Sequence, residues 1–246
     1  MVTLSVNVNK VATVRNSRGG AVPSVLEAVE VCLRAGAPGI TVHPRADARH
    51  ITTADVRETA ALVASWDRPA EFNIEGDPRP DLLDLVLDTR PTQCTLVPVH
   101  PGEVTSQAGW RRDAASEVVP ATRRLRDAGI RVSLFVDPEP DAIRWAADAG
   151  GDRVELYTEP FARAFASGDG EMSFGRYSRA AELAHRLGLG VNAGHDLDLE
   201  NLRLFRRLPF LDEVSIGHAL ISRAIFVGLE RVVREYLAVL GGDFPA

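Results

Sequence analysis

The chain is poor in the residues that define several protein classes. Its 246 residues include two cysteines, Cys32 and Cys94, and a single lysine, Lys10. One thiol falls in a helical stretch and the other in a strand, so buried free cysteines are expected rather than a disulfide. Nothing points to an oxidising compartment. No run of eighteen apolar residues occurs, which leaves no candidate membrane-spanning helix. The opening stretch MVTLSVNVNK lacks the cationic start and apolar run of a secretory signal. A positive excess is missing too: the formal net charge is −6, not the footprint of a nucleic-acid binder. The reading is a soluble cytoplasmic protein with neither membrane nor nucleic acid as partner. Any anion it binds must be caught by local cations.

What is present is a repeating βα pattern. Short β-rich runs begin at Thr3, Gly39, Glu71, Gln93, Arg131, Arg153, Leu189 and Glu213, spaced 22 to 38 residues apart. That spacing is one strand plus one helix. The segments between them have helical period. PSVLEAVEVCLRAG opens on Pro23 and Ser24, and TTADVRETAALVAS opens on a Thr52-x-x-Asp55 capping pattern. DLLDLVLDTRP reads as a short helix stopped by Pro91. Four joints run from a helix end through Gly36, Gly129, Gly150 or Gly188 into a strand, where glycine suits a left-handed helix terminus. Eight such units predict an α/β fold: a single (β/α)8 TIM barrel spanning residues 1–246, with extra short helices. One of those extra helices is expected in EPFARAFASGDGEM. A doubly wound open sheet would need a nucleotide fingerprint or a break in strand order, and the sequence has neither.

Barrel chemistry comes from the C-terminal ends of the strands. Those ends carry Asn7, Asn9 and Lys10 after the first strand, followed by a loop holding Arg15 and Arg18. His43 and Arg45 follow the second strand, with His50 in the loop beyond. Glu75 ends the third strand and Asp137 the fifth, while Glu155 lies within the sixth. Asn192, His195 and Asp196 close the seventh, and Gly217 and His218 the eighth. A lone loop histidine is commonly just a hydrogen-bonded loop residue, but a closed barrel aims all of these at one mouth. Imidazoles and carboxylates around one cavity are the parts of general acid–base chemistry. Arg18, Arg45 and Arg49 suit phosphate oxygens, and the helix predicted to start after Gly217 would favour an anion at its N-terminus. No His-x-His or His-Glu-x-x-His spacing occurs and arginines are interleaved, so no metal is expected. His185, in mid-helix, reads as a surface residue. These residues alone also fit another phosphosugar aldolase or isomerase with Lys10 as nucleophile, or a non-catalytic phosphate-ligand binder.

The segments VATVRNSRGG, GITVHPRADARHIT, FNIEG, TLVP followed by EVTS, VSLFVD, VNAGHDL and SIGHALISRA resemble, in order and nearly end to end, the pyridoxine 5′-phosphate synthase family. The resemblance implies condensation of 3-amino-2-oxopropyl phosphate with 1-deoxy-D-xylulose 5-phosphate, without a cofactor, in a homo-octamer. It implies His43 and Glu75 as general bases and His195 as proton donor. Asn7, Arg18, Asp196 (through its backbone), Gly217 and His218 are implied ligands of the amino-ketone phosphate. Arg45, His50 and Thr105 are implied ligands of the sugar phosphate, with Asn9 and Lys10 at the substrate-binding end of the first strand. Many such proteins carry Asp-His where this chain has Asn9 and Lys10, and an acidic residue where it has Val99. A Glu75 carboxylate beside arginines is expected to stay ionised and to act as a base.

Overall fold

Alternation decides how this barrel is built. The strand TLSVN buries Leu4 and Val6 on one side, with Ser5 and Asn7 on the other. The same period-two pattern recurs in GITV, EFNIEG, QCTL and RVELY. Successive strand residues face opposite sides, so one face of each strand is apolar and the other polar. The computed structural model describes residues 2–99, 103 and 106–242.

The elements alternate from the start. β1 (Thr3–Asn7) leads to α1 (Asn9–Asn16) and α2 (Val25–Arg34). β2 (Gly39–Val42), α3 (Thr53–Ala64), β3 (Glu71–Gly76), α4 (Pro80–Thr89) and β4 (Gln93–Leu96) follow. α5 (Ala115–Asp127), β5 (Arg131–Val136), α6 (Pro140–Asp148) and β6 (Arg153–Tyr157) come next. The extra helix α7 (Glu159–Ala166) precedes α8 (Gly170–Arg186). β7 (Gly190–Gly194), α9 (Leu202–Phe205), β8 (Leu211–Ile216), α10 (His218–Val227) and α11 (Leu229–Gly241) complete the chain. All neighbouring strands are parallel, and β8 pairs with β1 to close the barrel in the order β1 to β8.

The predicted boundaries have identifiable causes. Ser24 caps α2 by accepting from the Glu27 amide at 3.2 Å. Thr52 and Asp55 form a reciprocal capping box on α3. Gly36, Gly129, Gly150 and Gly188 all have positive φ, as their helix-end positions require. Cys32 and Cys94 are free and buried. Among the described residues, no helix is long and apolar enough to cross a membrane.

The apolar strand faces pack outward against the helices, which leaves the barrel interior polar. Ser5 and Thr41 hydroxyls meet at 2.6 Å, Asn73 donates to Thr41 at 3.3 Å, and Thr95 donates to Asn73 at 3.0 Å. Lower down, Glu213 accepts from Asn192 at 3.1 Å and from Gln93 at 3.4 Å. Arg131 donates to Gln93 at 2.9 Å and Arg153 to Asn192 at 2.8 Å. Interior polar groups are tolerable when hydrogen-bonded, because an unmade bond there costs about 1–3 kcal/mol. Branched apolar layers usually fill such barrels. Here a hydrogen-bonded polar core supports the site from below.

Candidate active site

The strand ends converge. His43, Glu75, His195 and His218 line one cavity of about 420 Å³, together with Asn7, Asn9, Lys10, Arg45, His50, Glu155, Asp196 and Gly217. Arg18 stands exposed in the turn after α1, outside this lining, and Thr105 lies outside the described residues.

His43 follows β2 directly and is only 7% exposed. Its backbone amide donates to the Asn9 side chain at 2.8 Å, so Asn9 fixes where the imidazole stands. Its Nδ1 lies 3.8 Å from Glu75 Oε2, while its Nε2 is buried with no hydrogen-bond partner among the described residues. Burial holds its proton affinity well below the ordinary histidine range, with His50 and Arg45 adding to the effect. Arg79 helps to hold the strand end, donating to the Pro44 carbonyl at 2.5 Å.

Glu75 departs from expectation. No arginine pairs with it among the described residues: its carboxylate accepts from Asn7 at 3.3 Å and from Ser215 at 3.5 Å. Desolvation pushes it up to about 8, and the buried Glu213 adds to the rise. At neutral pH the resting side chain is therefore largely a protonated acid rather than an ionised base. Low-dielectric surroundings disfavour the charged form of both partners, which makes His43 and Glu75 a neutral pair holding one proton.

Glu155, which the sequence places within the sixth strand and to which the resemblance assigns no role, belongs to the site. It is 2% exposed, lines the cavity, and its Oε2 has no hydrogen-bond partner among the described residues. Burial, Glu75 and Glu213 hold it well above the ordinary carboxyl range. Gly194 makes room for it: a Cβ there would collide with Glu155 Oε1. The available sequence signal was alternation, since RVELY places Glu155 on the same face as Arg153 and Tyr157.

The β7 end is strained. His195 and Asp196 adopt φ of +81° and +57°, uncommon for residues with a Cβ and concentrated at functional sites. Thr158 anchors the turn, donating to the Gly194 carbonyl at 2.6 Å with the His195 carbonyl also in reach. The His195 ring packs against Phe135 and Tyr157, with centroids 5.1 and 5.3 Å apart. Burial lowers its pKa to about 4. His50 is likewise lowered to about 4, chiefly by desolvation and then by Lys10. Its Nδ1 accepts from the Ile51 amide at 2.9 Å, which leaves Nε2 as the N–H of the neutral ring.

The cations divide into anchors and cavity residues. Arg15 lies on helix α1 rather than in a loop, and it pairs with Asp55 at 2.5 and 2.9 Å. Together with Asn16 it holds the His50 carbonyl, clamping that loop to α3. Arg45, 7% exposed, reaches the cavity, and its Nε lies 3.8 Å from Asp47. Both Arg45 and Arg49 donate to the Glu103 carbonyl, at 3.4 and 3.0 Å. Across the mouth, α10 begins at His218 with Gly217 as its cap, so its first amide groups face the cavity edge. Gly217 is packed tightly there, since a Cβ would lie 3.1 Å from Asn7 Cβ. Among the described residues no three His, Cys, Asp or Glu side chains are grouped as a metal site.

Residues 4–242 match the family model described as pyridoxal phosphate biosynthesis protein PdxJ. The chain belongs to this family. A pyridoxine 5′-phosphate synthase from Christiangramia forsetii is 50% identical over 98% of this chain and 100% of its own length. One from Bacteroides fragilis is 51% identical over 96% of this chain and 98% of its own. Phosphoribosyl anthranilate isomerase from Thermus thermophilus shares the fold alone, with a TM-score of 0.61 over 98% of this chain and 99% of that structure, at 13% identity. Membership in the PdxJ family thus covers the barrel and every cavity residue named above.

Proposed function

We propose that this chain is a pyridoxine 5′-phosphate synthase that condenses 3-amino-2-oxopropyl phosphate with 1-deoxy-D-xylulose 5-phosphate. The observation that carries the reading is half identity, over nearly the whole chain, to relatives bearing that name. Two phosphates enter and the product keeps one, so inorganic phosphate and water leave.

Arg45 and His50 bind the sugar phosphate. The first turn of α10, with Asn7, Asp196, Gly217 and His218, binds the amino-ketone phosphate. Thr105 and the exposed Arg18 belong to the proposal through the family resemblance alone. The His43–Glu75 pair moves protons in either direction. Neutral His43 accepts a proton from carbon while protonated Glu75 gives its proton to a departing hydroxyl, which leaves as water. The resulting Glu75 carboxylate is then the base, and the proton on His43 resets it. His195 is neutral at rest. An arriving phosphate dianion favours its protonated form, so substrate binding itself arms it as the donor. No step requires a metal ion or cofactor.

Residence in the cytoplasm and assembly into a homo-octamer belong to the same proposal. Ile225 and Phe226, 72% and 86% exposed near the end of α10, supply apolar surface that packing between copies would cover. Mass measurement in solution tests the assembly. The reaction is tested by supplying both ketones and following pyridine absorbance together with phosphate release. Product formation that survives a chelator supports the reading, and its absence refutes it.

A further inference from the structure

The chain has one lysine, and it stands inside the cavity. Lys10 lies in the first turn of α1, half-buried, among the residues lining the mouth with His43, His50, Glu75 and His195. The same lining holds His50 from the β2 end and His195 from the β7 end, so the amine shares one cavity with both. Many proteins that this chain resembles have histidine at this position, and here a primary amine stands in its place. With phosphate ligands supplied elsewhere by Arg45 and the α10 amides, the amine is left as a nucleophile beside whatever occupies the cavity.

The occupant that follows from the proposed function is a phosphorylated pyridine bearing a hydroxymethyl group. Pyridoxal phosphate, the compound in the family description, is the corresponding aldehyde, with one hydrogen fewer on that carbon and one fewer on its oxygen. A cavity that releases the alcohol admits the aldehyde, and aldehydes condense with amines more readily than ketones do. We propose that Lys10 captures pyridoxal phosphate as a Schiff base, so that the aldehyde form of the product blocks the site that builds the ring. Lys10 Nζ adds to the aldehyde carbon, the carbinolamine oxygen leaves as water, and a C=N bond replaces C=O. No electrons change hands, and hydrolysis reverses the step. This inference rests on the synthase reading.

The sequence makes the test unusually clean, because the α-amino group is the only other primary amine in the chain. The full-length protein is first assayed with the two ketone substrates, then incubated with pyridoxal phosphate, reduced with borohydride and mapped by peptide mass. The expected result is one reduced adduct per chain on the peptide carrying Lys10, with synthase activity lost and both effects prevented by excess pyridoxine 5′-phosphate. Lys10→Arg keeps the cation but cannot form an imine. It should carry no adduct, and pyridoxal phosphate should inhibit it no more strongly than the alcohol does. An adduct confined to the N-terminal amine overturns the inference, as does no adduct at all. Trapping of Lys10 by the sugar phosphate but not by the aldehyde also overturns it. If the unmodified protein makes no pyridine product, the synthase reading fails instead; if it makes product yet takes up no aldehyde at Lys10, only this inference fails.

Discussion

His43 Nδ1 and Glu75 Oε2 lie 3.8 Å apart in a cavity where burial keeps the imidazole unprotonated and the carboxyl protonated. Both shifts come from desolvation, and both lower the charge of the resting site. Glu75→Gln keeps the shape and the hydrogen bonds available to Asn7 but cannot release a proton. Turnover should fall by roughly 10²-fold or more, the usual scale for an acid–base group, with substrate binding retained. Single-turnover kinetics with both substrates separates the two effects. Turnover near the wild-type rate would make Glu75 a structural carboxyl.

The same shifts set a pH dependence of stability. A carboxyl whose folded pKa is raised binds more protons in the folded than in the unfolded state between its two pKa values. For Glu75 that window runs from the ordinary carboxyl range to about 8, so its contribution to stability falls as pH rises through the window. His50 and His195, lowered to about 4, act oppositely and only below the ordinary histidine pKa. Between pH 6.5 and 8 the buried carboxyls dominate. The wild-type melting temperature should drop across that interval, and Glu75→Gln should drop less. Equal slopes in the two proteins would contradict the placement of the proton on Glu75.

Arg45→Ala removes a charge-assisted contact to phosphate, worth about 1.5–3 kcal/mol, and should raise KM for the sugar phosphate by roughly 10- to 100-fold. KM for the amino-ketone should change little. Steady-state kinetics with each substrate varied in turn decides this, and an effect on the amino-ketone alone would exchange the two anion sites.

Gly194→Ala places a methyl group against the Glu155 carboxyl. Overpacking of this kind costs about 1–3 kcal/mol, and here it also displaces a cavity-lining acid. Both the melting temperature and kcat should fall. Gly194→Ala combined with Glu155→Asp should recover stability, because the shorter side chain withdraws, while kcat stays low. Full activity in Gly194→Ala would remove Glu155 from the chemistry.

The barrel was legible because its signals are local. Helix-end glycines, the Ser24 and Thr52 caps and the strand spacing each act within a few residues, and each is met in the structure. The polar interior was written in the same strands, as alternation in TLSVN and RVELY. Parallel strands covered on both faces usually read as continuous apolar runs, so the alternation is the mark of a hydrogen-bonded core. The ionisation of Glu75 was not legible. It is set first by burial inside the barrel and raised further by Glu213, against the hydrogen bonds from Ser215 and Asn7. All three residues are distant in sequence, and none is an arginine near Glu75 in the chain. The place of Arg15 was hidden for a related reason: the sequence reads a loop there, and its partner Asp55, forty residues on, shows only in the structure.

The central claim is that one cavity makes a pyridine ring from two phosphorylated ketones using the protein's own acids and bases. Its most direct test is a single-turnover experiment on the chelator-treated protein, with pyridine absorbance and inorganic phosphate recorded together in wild type and in Glu75→Gln. The account predicts one phosphate per pyridine in the wild type and loss of the pyridine signal in the variant. Phosphate released without pyridine by the wild type, or no reaction between the two ketones at all, would contradict it.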